Sequence, residues 1–224
     1  MDQTPPAGFP ARLIEGWLGF RHTRFRRERD HYARLAEAGQ QPNTLMIACV
    51  DSRVAPEVVF DADAGEMLVV RNVANLVPPY EEGGRYHGTS AAIEFAVRVL
   101  QVSHIVVMGH ARCGGVRAFR ENAIAGVDPS RAGFVARWMD ILTPATAHVC
   151  DGVDPLQDAT AMELAAIRQS IANLRTFPWL AERERAGSLA LHGTWFDVAD
   201  GALRVLDEAA GSFVPLDGGT FVRG

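Results

Sequence analysis

The feature of this 224-residue sequence that most constrains its fold is a series of short apolar runs separated by segments with helical spacing. Three runs, Leu45 to Val50, Met67 to Val70 and Ile105 to Met108, have the length and flanks of strands that are buried on both faces. Between the last two runs, the segment from Ala91 to Leu100 has the spacing of a helix. This order predicts an α/β fold with a mostly parallel central sheet that is flanked by helices.

The two ends of the chain predict further parts of the fold. Residues 10 to 38 carry apolar side chains at helical spacing, which predicts an N-terminal helical arm over residues 1–40 of a single domain spanning 1–224. Near the other end, a run from Leu189 to Val198 is followed by Asp200-Gly201, a dipeptide typical of hairpin turns, and by a return run. We therefore expect an antiparallel hairpin at the C-terminal edge of the sheet.

Charge and cysteine content exclude several classes of protein. A net charge of -5 gives no overall attraction for nucleic acid or for an anionic membrane. Three cysteines are too few for a disulfide framework in a chain of this length, and no apolar stretch has the length of a membrane span. These observations predict a cytoplasmic protein that acts on a small molecule, with no nucleic-acid or membrane partner.

A candidate metal site follows two of the predicted strands. Cys49 lies at the end of the first apolar run, and His110 and Cys113 lie in a glycine-rich segment just after the third. The carboxyl ends of parallel strands meet at one edge of a sheet, so residues far apart in sequence can converge there. Zinc accepts imidazole nitrogen and thiolate sulfur, and three protein ligands with one open position is its catalytic arrangement. The H-x-x-C spacing alone is also compatible with a buried histidine and a buried cysteine that have only structural roles.

The residues around Cys49, His110 and Cys113 help to decide between a zinc site and residues with only structural roles. Asp51 and Arg53 follow Cys49 at alternate positions, a pattern that a structural salt bridge would also explain. Taken together, however, C-x-D-x-R at one strand end and G-H-x-x-C-G-G at another resemble the two signatures of the β-class carbonic anhydrases. The resemblance covers most of the chain, and it continues through Val69 to Asn75, Ala91 to Val97 and Leu191-His192-Gly193.

The resemblance implies a zinc lyase that converts carbon dioxide reversibly to bicarbonate and a proton. One zinc ion per chain would be held by Cys49, His110 and Cys113, and a zinc-bound hydroxide would attack carbon dioxide. Asp51, kept ionised by Arg53, would orient that hydroxide. The family also implies a homodimer or a larger dimer-based assembly, in which the N-terminal helices contact the partner.

The resemblance further implies the accessible, plant-like form of the family. Gln40 stands nine residues before Cys49, as in that form, whereas the tryptophan and tyrosine of the regulated form are replaced by Met46 and Phe196. Gln40 would donate to a substrate oxygen, although an exposed loop glutamine needs no such role. The other residues expected at the substrate site are an apolar set and one glycine: Leu68, Val73, Phe95 and Gly114.

Several alternatives stay open at this point. Carbonyl sulfide or carbon disulfide could be the substrate of the same zinc site, because both are linear electrophiles like carbon dioxide. A scaffold protein with a structural zinc ion is a second alternative, and a thiol redox protein using Cys49 and Cys113 is a third. Tyr86 and His87 could carry protons, because an imidazole titrates near neutrality, but a histidine in an exposed loop is the simpler interpretation.

Overall fold

The computed structural model describes residues 8–83, 87–128, 133–147 and 152–216. The chain divides into two compact units, Met1–Gln41 and Pro42–Gly224. Among the described residues, no helix combines the length and the apolar character needed to cross a membrane. Tyr86, one of the two candidate proton carriers, lies outside the described residues.

The N-terminal unit consists of three consecutive helices. They are α1 (Ala11–His22), α2 (Arg24–Arg27) and α3 (Arg29–Ala38), so the predicted helical arm is interrupted at Thr23 and Glu28. None of the residues in these three helices is fully buried. The side chains of Leu13 and Trp17 are 59% and 53% exposed, so these large apolar side chains of α1 face solvent in the single chain.

The second unit is built on a six-stranded sheet. Its strand order is β2-β1-β3-β4-β5-β6, with parallel pairing from β2 to β4 and antiparallel pairing from β4 to β6. The prediction of an α/β fold with a mostly parallel sheet and an antiparallel C-terminal edge is confirmed. The strands are β1 (Thr44–Cys49), β2 (Met67–Asn72), β3 (His104–His110), β4 (Ala190–Phe196), β5 (Leu203–Asp207) and β6 (Ser212–Pro215).

Helices cover this sheet, and two short helical turns of other types interrupt the pattern. A 3-10 turn, Val73–Asn75, follows β2, and a π-helical turn, Phe95–Val99, continues the helix that was predicted from Ala91 to Leu100. A further 3-10 segment spans Asp140–Ala147. The helices are α4 (Pro56–Val59), α5 (Gly88–Glu94), α6 (Gly114–Ile124), α7 (Phe134–Met139), α8 (Ala159–Leu174) and α9 (Pro178–Arg185).

The core lies on both faces of the sheet, which explains why the central strands are apolar without interruption. In β1, Leu45 and Ile47 belong to one buried cluster, whereas Met46 and Ala48 belong to the other. Successive side chains of a strand point to opposite faces, so both faces of β1 need apolar residues. Cys49, the last residue of β1, belongs to the second cluster together with Cys113.

Helix α8 packs closely against β3 and β4 because both strands have a glycine beneath it. A Cβ atom placed at Gly193 would lie 2.8 Å from Cγ2 of Ile167, and one placed at Gly109 would lie 2.7 Å from its Cδ1. At its start, the Asp158 carboxylate accepts a hydrogen bond of 2.8 Å from the Ala161 amide and caps the helix. This close packing brings α8 over the carboxyl end of β3, where His110 lies.

Candidate metal centre

The three predicted metal ligands come from the ends of two adjacent strands and the start of a helix. Cys49 is the last residue of β1, and His110 is the last residue of β3, the strand that pairs with β1 in parallel. Cys113 occupies the N-cap position of α6, three residues after His110. The structure therefore brings Cys49 together with Cys113, which is 64 positions later in the sequence.

The donor atoms of these residues form one compact group. The sulfur atoms of Cys49 and Cys113 are 3.9 Å apart, and all three ligand atoms lie within 4.8 Å of one another. The residues are 4%, 1% and 2% exposed for Cys49, His110 and Cys113. Two thiolates bound to one tetrahedral zinc ion, each at about 2.3 Å, would be about 3.8 Å apart. The donor set and the sulfur separation therefore fit zinc.

His110 is oriented as a metal ligand. Its Nδ1 lies 2.9 Å from the carbonyl oxygen of Ala111. Because a carbonyl oxygen only accepts, Nδ1 carries the proton of the neutral ring, and Nε2 presents a lone pair toward the two sulfur atoms. Among the described residues, nothing donates a hydrogen bond to this buried Nε2. A buried acceptor of this kind is costly unless a proton or a cation satisfies it.

The thiols of Cys49 and Cys113 have pKa values that are shifted in opposite directions. The pKa of Cys49 is lowered to about 4, primarily because the Cys113 thiol donates a hydrogen bond to its thiolate. The same neighbour and burial raise the pKa of Cys113 above its ordinary value. A divalent cation removes this competition, since both sulfur atoms can then be thiolates.

Backbone amides lower the pKa of both thiols. Those of Asp51 and Ala74 act on Cys49, and those of Gly115 and Val116 act on Cys113. Ala74 reaches its position with a φ of 64°, in the left-handed region that residues other than glycine seldom adopt. Such strained backbone persists where the surrounding structure requires it, and here it directs an N–H group at a thiolate.

A carboxylate and a guanidinium form an ion pair next to the ligand group. Nε of Arg53 donates to Oδ1 of Asp51 at 3.0 Å, and Nη2 donates to Oδ2 at 2.7 Å. This paired hydrogen bonding with Arg53 holds the pKa of Asp51 well below its usual range. Oδ2 of Asp51 lies 4.0 Å from Nε2 of His110, so the carboxylate borders the ligands without being one of the converging group.

A second arginine holds the turn that carries this ion pair. Nε of Arg71 donates to the carbonyl of Cys49 at 2.8 Å, and Nη2 donates to the carbonyl of Asp51 at 2.6 Å. These contacts fix the backbone on both sides of the strand end. Arg71 lies within Val69 to Asn75, a segment that carries the family resemblance, but its contacts with Cys49 and Asp51 depend on the register between β1 and β2.

The main site residue that the sequence analysis missed is Glu163 of α8. Its carboxylate accepts from the Cys113 amide at 3.1 Å and from Nε1 of Trp195 at 3.0 Å, and the residue is 4% exposed. Burial raises the pKa of this carboxyl group. The sequence carries one signal of this role. Glu163 is the single acidic residue in the otherwise apolar segment from Met162 to Ile167, which suits a buried carboxylate with partners.

Replacement of Glu163 by glutamine is expected to lower both the stability of the protein and its affinity for zinc. The glutamine amide has one acceptor oxygen, so one of the two donors, from Cys113 or Trp195, would face an NH2 group instead. A buried donor without a partner costs about 1–3 kcal/mol, and we expect that loss in the free energy of unfolding. We also expect zinc affinity, measured by competition with a chelator, to fall by about 10–100-fold. Glu57→Gln, an exposed change in α4, is the control, and equal values for both variants would contradict this role.

The five residues predicted to bind substrate have different surroundings. Gln40 is exposed in the N-terminal unit, after α3. Val73 is half-buried and lies close to the first turn of α6, because its Cγ1 would lie 2.9 Å from a Cβ at Gly115. Leu68 packs against the other core cluster, Phe95 is 42% exposed, and Gly114 is an exposed residue at the start of α6. Their roles in substrate binding stay predictions.

Comparison with known proteins places this site in a family. Residues 44–203 match the family model described as carbonic anhydrase. The chain is 38% identical over 191 residues to β-carbonic anhydrase 5, chloroplastic, of Arabidopsis thaliana. That alignment covers 84% of this chain and 62% of the plant protein's length.

Solved structures agree with the sequence comparison. The β-carbonic anhydrase CcaA has a TM-score of 0.76 and 30% identity, with 91% of this chain and 98% of that chain covered. A structure from a study of two tetrameric β-carbonic anhydrases of the ascomycete Sordaria macrospora has a TM-score of 0.66 and 27% identity. The superposition with this fungal protein covers 93% of this chain and 95% of the fungal chain. The family match spans most of the chain and includes all three converging ligands, so this protein belongs to the β-carbonic anhydrase family.

Proposed function

We propose that this protein catalyses the reversible hydration of carbon dioxide to bicarbonate and a proton, with one zinc ion held by Cys49, His110 and Cys113. The observation that carries the proposal is the convergence of three buried donor atoms beside an ion-paired carboxylate. Membership of the β-carbonic anhydrase family supports the same reaction. An intact Asp51 and Arg53 argue against a scaffold role, for which the pair would not be needed.

Each residue of the site has a distinct task in this proposal. Zinc, when bound, supplies a nucleophile near neutral pH by lowering the pKa of a coordinated water from 15.7 to about 7. Asp51 accepts a hydrogen bond from the attacking group and so orients it toward the substrate carbon. Arg53 keeps Asp51 ionised and in place, and Glu163 fixes the backbone of Cys113.

The orientation of Asp51 favours the accessible form of the family. Both carboxylate oxygens accept hydrogen bonds from Arg53, and the backbone amide of Arg53 also donates to Oδ1 at 3.0 Å. Three hydrogen bonds from one residue oppose a rotation of Asp51 into the metal position. We therefore propose that Asp51 would stay outside the ligand set of Cys49, His110 and Cys113 when zinc is bound, and that Gln40 would donate to a substrate or bicarbonate oxygen.

We further propose that the protein forms a homodimer or a dimer-based oligomer. The exposed apolar side chains of Leu13 and Trp17 on α1 support an interface with another chain. A study of the fungal relatives describes tetramers, which is compatible with assembly from dimers. Sedimentation at several protein concentrations would separate a monomer from these assemblies.

Stopped-flow measurement of carbon dioxide hydration, with zinc analysis of the same sample, tests the proposed function. We expect close to one zinc ion per chain and a kcat/KM that rises with a midpoint of about pH 7, where a zinc-coordinated water ionises. Activity that appears only above about pH 8 would contradict the accessible form. Zinc without hydration would favour a scaffold, and faster turnover of carbonyl sulfide or carbon disulfide in a parallel assay would favour the alternative substrates.

A further inference from the structure

The position of one histidine beside the metal centre has a consequence for proton release. We propose that His87 transfers the proton released by hydration from the metal centre to buffer. This inference rests on the proposed function. Hydration consumes one carbon dioxide and one water and yields one bicarbonate and one proton. The proton must leave before the next turnover, and none of the three ligands can hold it while bound to a metal.

His87 is positioned by a direct connection to the strand that pairs with Cys49. Asn72, the last residue of β2, is the register partner of Cys49. Nδ2 of Asn72 donates to Oγ1 of Thr89 at 3.2 Å and to the carbonyl of Leu76 at 2.8 Å. These bonds hold the first turn of α5 against the end of β2. His87 is the N-cap residue of that helix, two positions before Thr89.

His87 lines a cavity together with residues that adjoin the metal centre. This cavity has a volume of about 510 Å³, and its lining includes Val50, Asn72, Val73 and His87. Val50 directly follows Cys49, and Val73 lies close to Gly115, two residues after Cys113. The volume is sufficient for several water molecules, each of which occupies about 30 Å³ in the liquid. In the proposed transfer, water in this cavity would carry the proton from the neighbourhood of Cys49 to the imidazole.

The same histidine also faces the outside of the protein. His87 is exposed and lines a second cavity, of about 430 Å³, whose other charged residues are Glu81, Glu94 and Arg98. The charged residue that lines the first cavity is Arg137. Carboxylates at the second cavity and a guanidinium at the first favour movement of a proton from the first cavity to the second. Among the described residues, no side chain holds the His87 ring by a hydrogen bond or an ion pair, so the ring can turn between the two cavities.

The other described histidines of the second unit do not have this position. His104 is the first residue of β3, at the opposite end of a strand that is about 20 Å long. Its Nδ1 lies 3.1 Å from Nε2 of His192, so these two rings are occupied with each other. His110 is a predicted metal ligand. His87 is thus the described imidazole of this unit that is both exposed and next to the site.

The test compares kcat and kcat/KM of His87→Ala with those of the wild-type protein in dilute buffer. Positioned proton transfer contributes about 10²–10⁴-fold, and buffer replaces part of it, so we expect kcat to fall at least about tenfold. We expect kcat/KM and zinc content to be unchanged, because the chemical step at the metal does not need His87. Added imidazole should restore kcat in a saturable manner. His22→Ala, which removes an exposed imidazole from α1, is the matched control and should leave kcat unchanged.

The possible outcomes separate this inference from the proposed function. A wild-type protein without hydration activity would refute both. An active protein whose kcat is unchanged in His87→Ala would refute the inference alone, and so would an equal loss of kcat and kcat/KM without rescue by imidazole.

A second measurement does not depend on turnover. The NMR signal of the His87 ring, identified by its loss in His87→Ala, must change protonation state over the pH range in which kcat changes. A ring that stays in one state there would overturn the inference.

Discussion

Replacement of Cys49 by serine is expected to abolish both zinc retention and carbon dioxide hydration. Serine keeps the size of the side chain, but its hydroxyl stays protonated near neutral pH, whereas the thiolate is the form that binds the metal. Loss of a residue that only supports a metal ligand reduces metal affinity or activity by about 10–100-fold. Loss of a ligand itself should therefore reduce kcat/KM by more than about 10³-fold. The measurements are zinc content after dialysis and stopped-flow hydration.

The chain offers a matched control for this change. Cys150→Ser makes the same substitution at the third cysteine of the sequence, and we expect it to keep both zinc and activity. Circular dichroism would establish that Cys49→Ser has folded, which matters because Cys49 is buried in the second core cluster. A folded Cys49→Ser protein that holds one zinc ion and hydrates carbon dioxide at the wild-type rate would contradict the proposed metal centre.

Replacement of Asp51 by asparagine should separate metal binding from catalysis. Asparagine has nearly the same shape, but it is neutral and presents an NH2 group where Asp51 has an acceptor. The attacking group would lose the acceptor that orients it, and misplacement of a reacting group lowers the reaction rate by about 100-fold. We expect kcat/KM to fall by about that factor while zinc content stays at the wild-type level, because Asp51 lies outside the ligand group.

The pH dependence gives this prediction a second readout. Arg53 lowers the pKa of Asp51 in the folded protein, so ionised Asp51 contributes stability above the unfolded pKa of about 4, and this contribution is lost as pH falls through the folded pKa. Asp51 is therefore ionised throughout the range of the hydration assay. The wild-type activity profile should have a midpoint of about 7, characteristic of zinc-coordinated water rather than of a carboxylate.

The control for this variant is Asp200→Asn. Asp200 accepts a hydrogen bond from the Ala202 amide in the turn between β4 and β5, and asparagine can accept the same bond. We expect wild-type kcat/KM and zinc content for this variant. If Asp51→Asn lost zinc as readily as Cys49→Ser, Asp51 would be part of the ligand set, and the accessible form would be wrong.

Local sequence patterns were sufficient to predict the fold class, and the resemblance to the β-class carbonic anhydrases selected the three candidate metal ligands. The apolar runs around Ile47 and Val107 have the composition of strands buried on both faces, and burial is the strongest constraint on a strand sequence. Parallel strands have their carboxyl ends at one edge, so the placement of Cys49 and His110 after two such runs predicted their convergence. Strand β6, with four residues, is too short to have been recognised from its pattern.

Other parts of the site depend on contacts between distant segments, and no local pattern encodes them. Glu163 contacts Cys113 only because α8 crosses the end of β3 above two glycines, and Arg71 braces Cys49 only because β2 pairs with β1 in one register. The left-handed backbone of Ala74 and the contact between His104 and His192 have the same origin. Such features result from the packing of the whole unit, since each stabilises or strains a residue through a partner that lies far away in sequence.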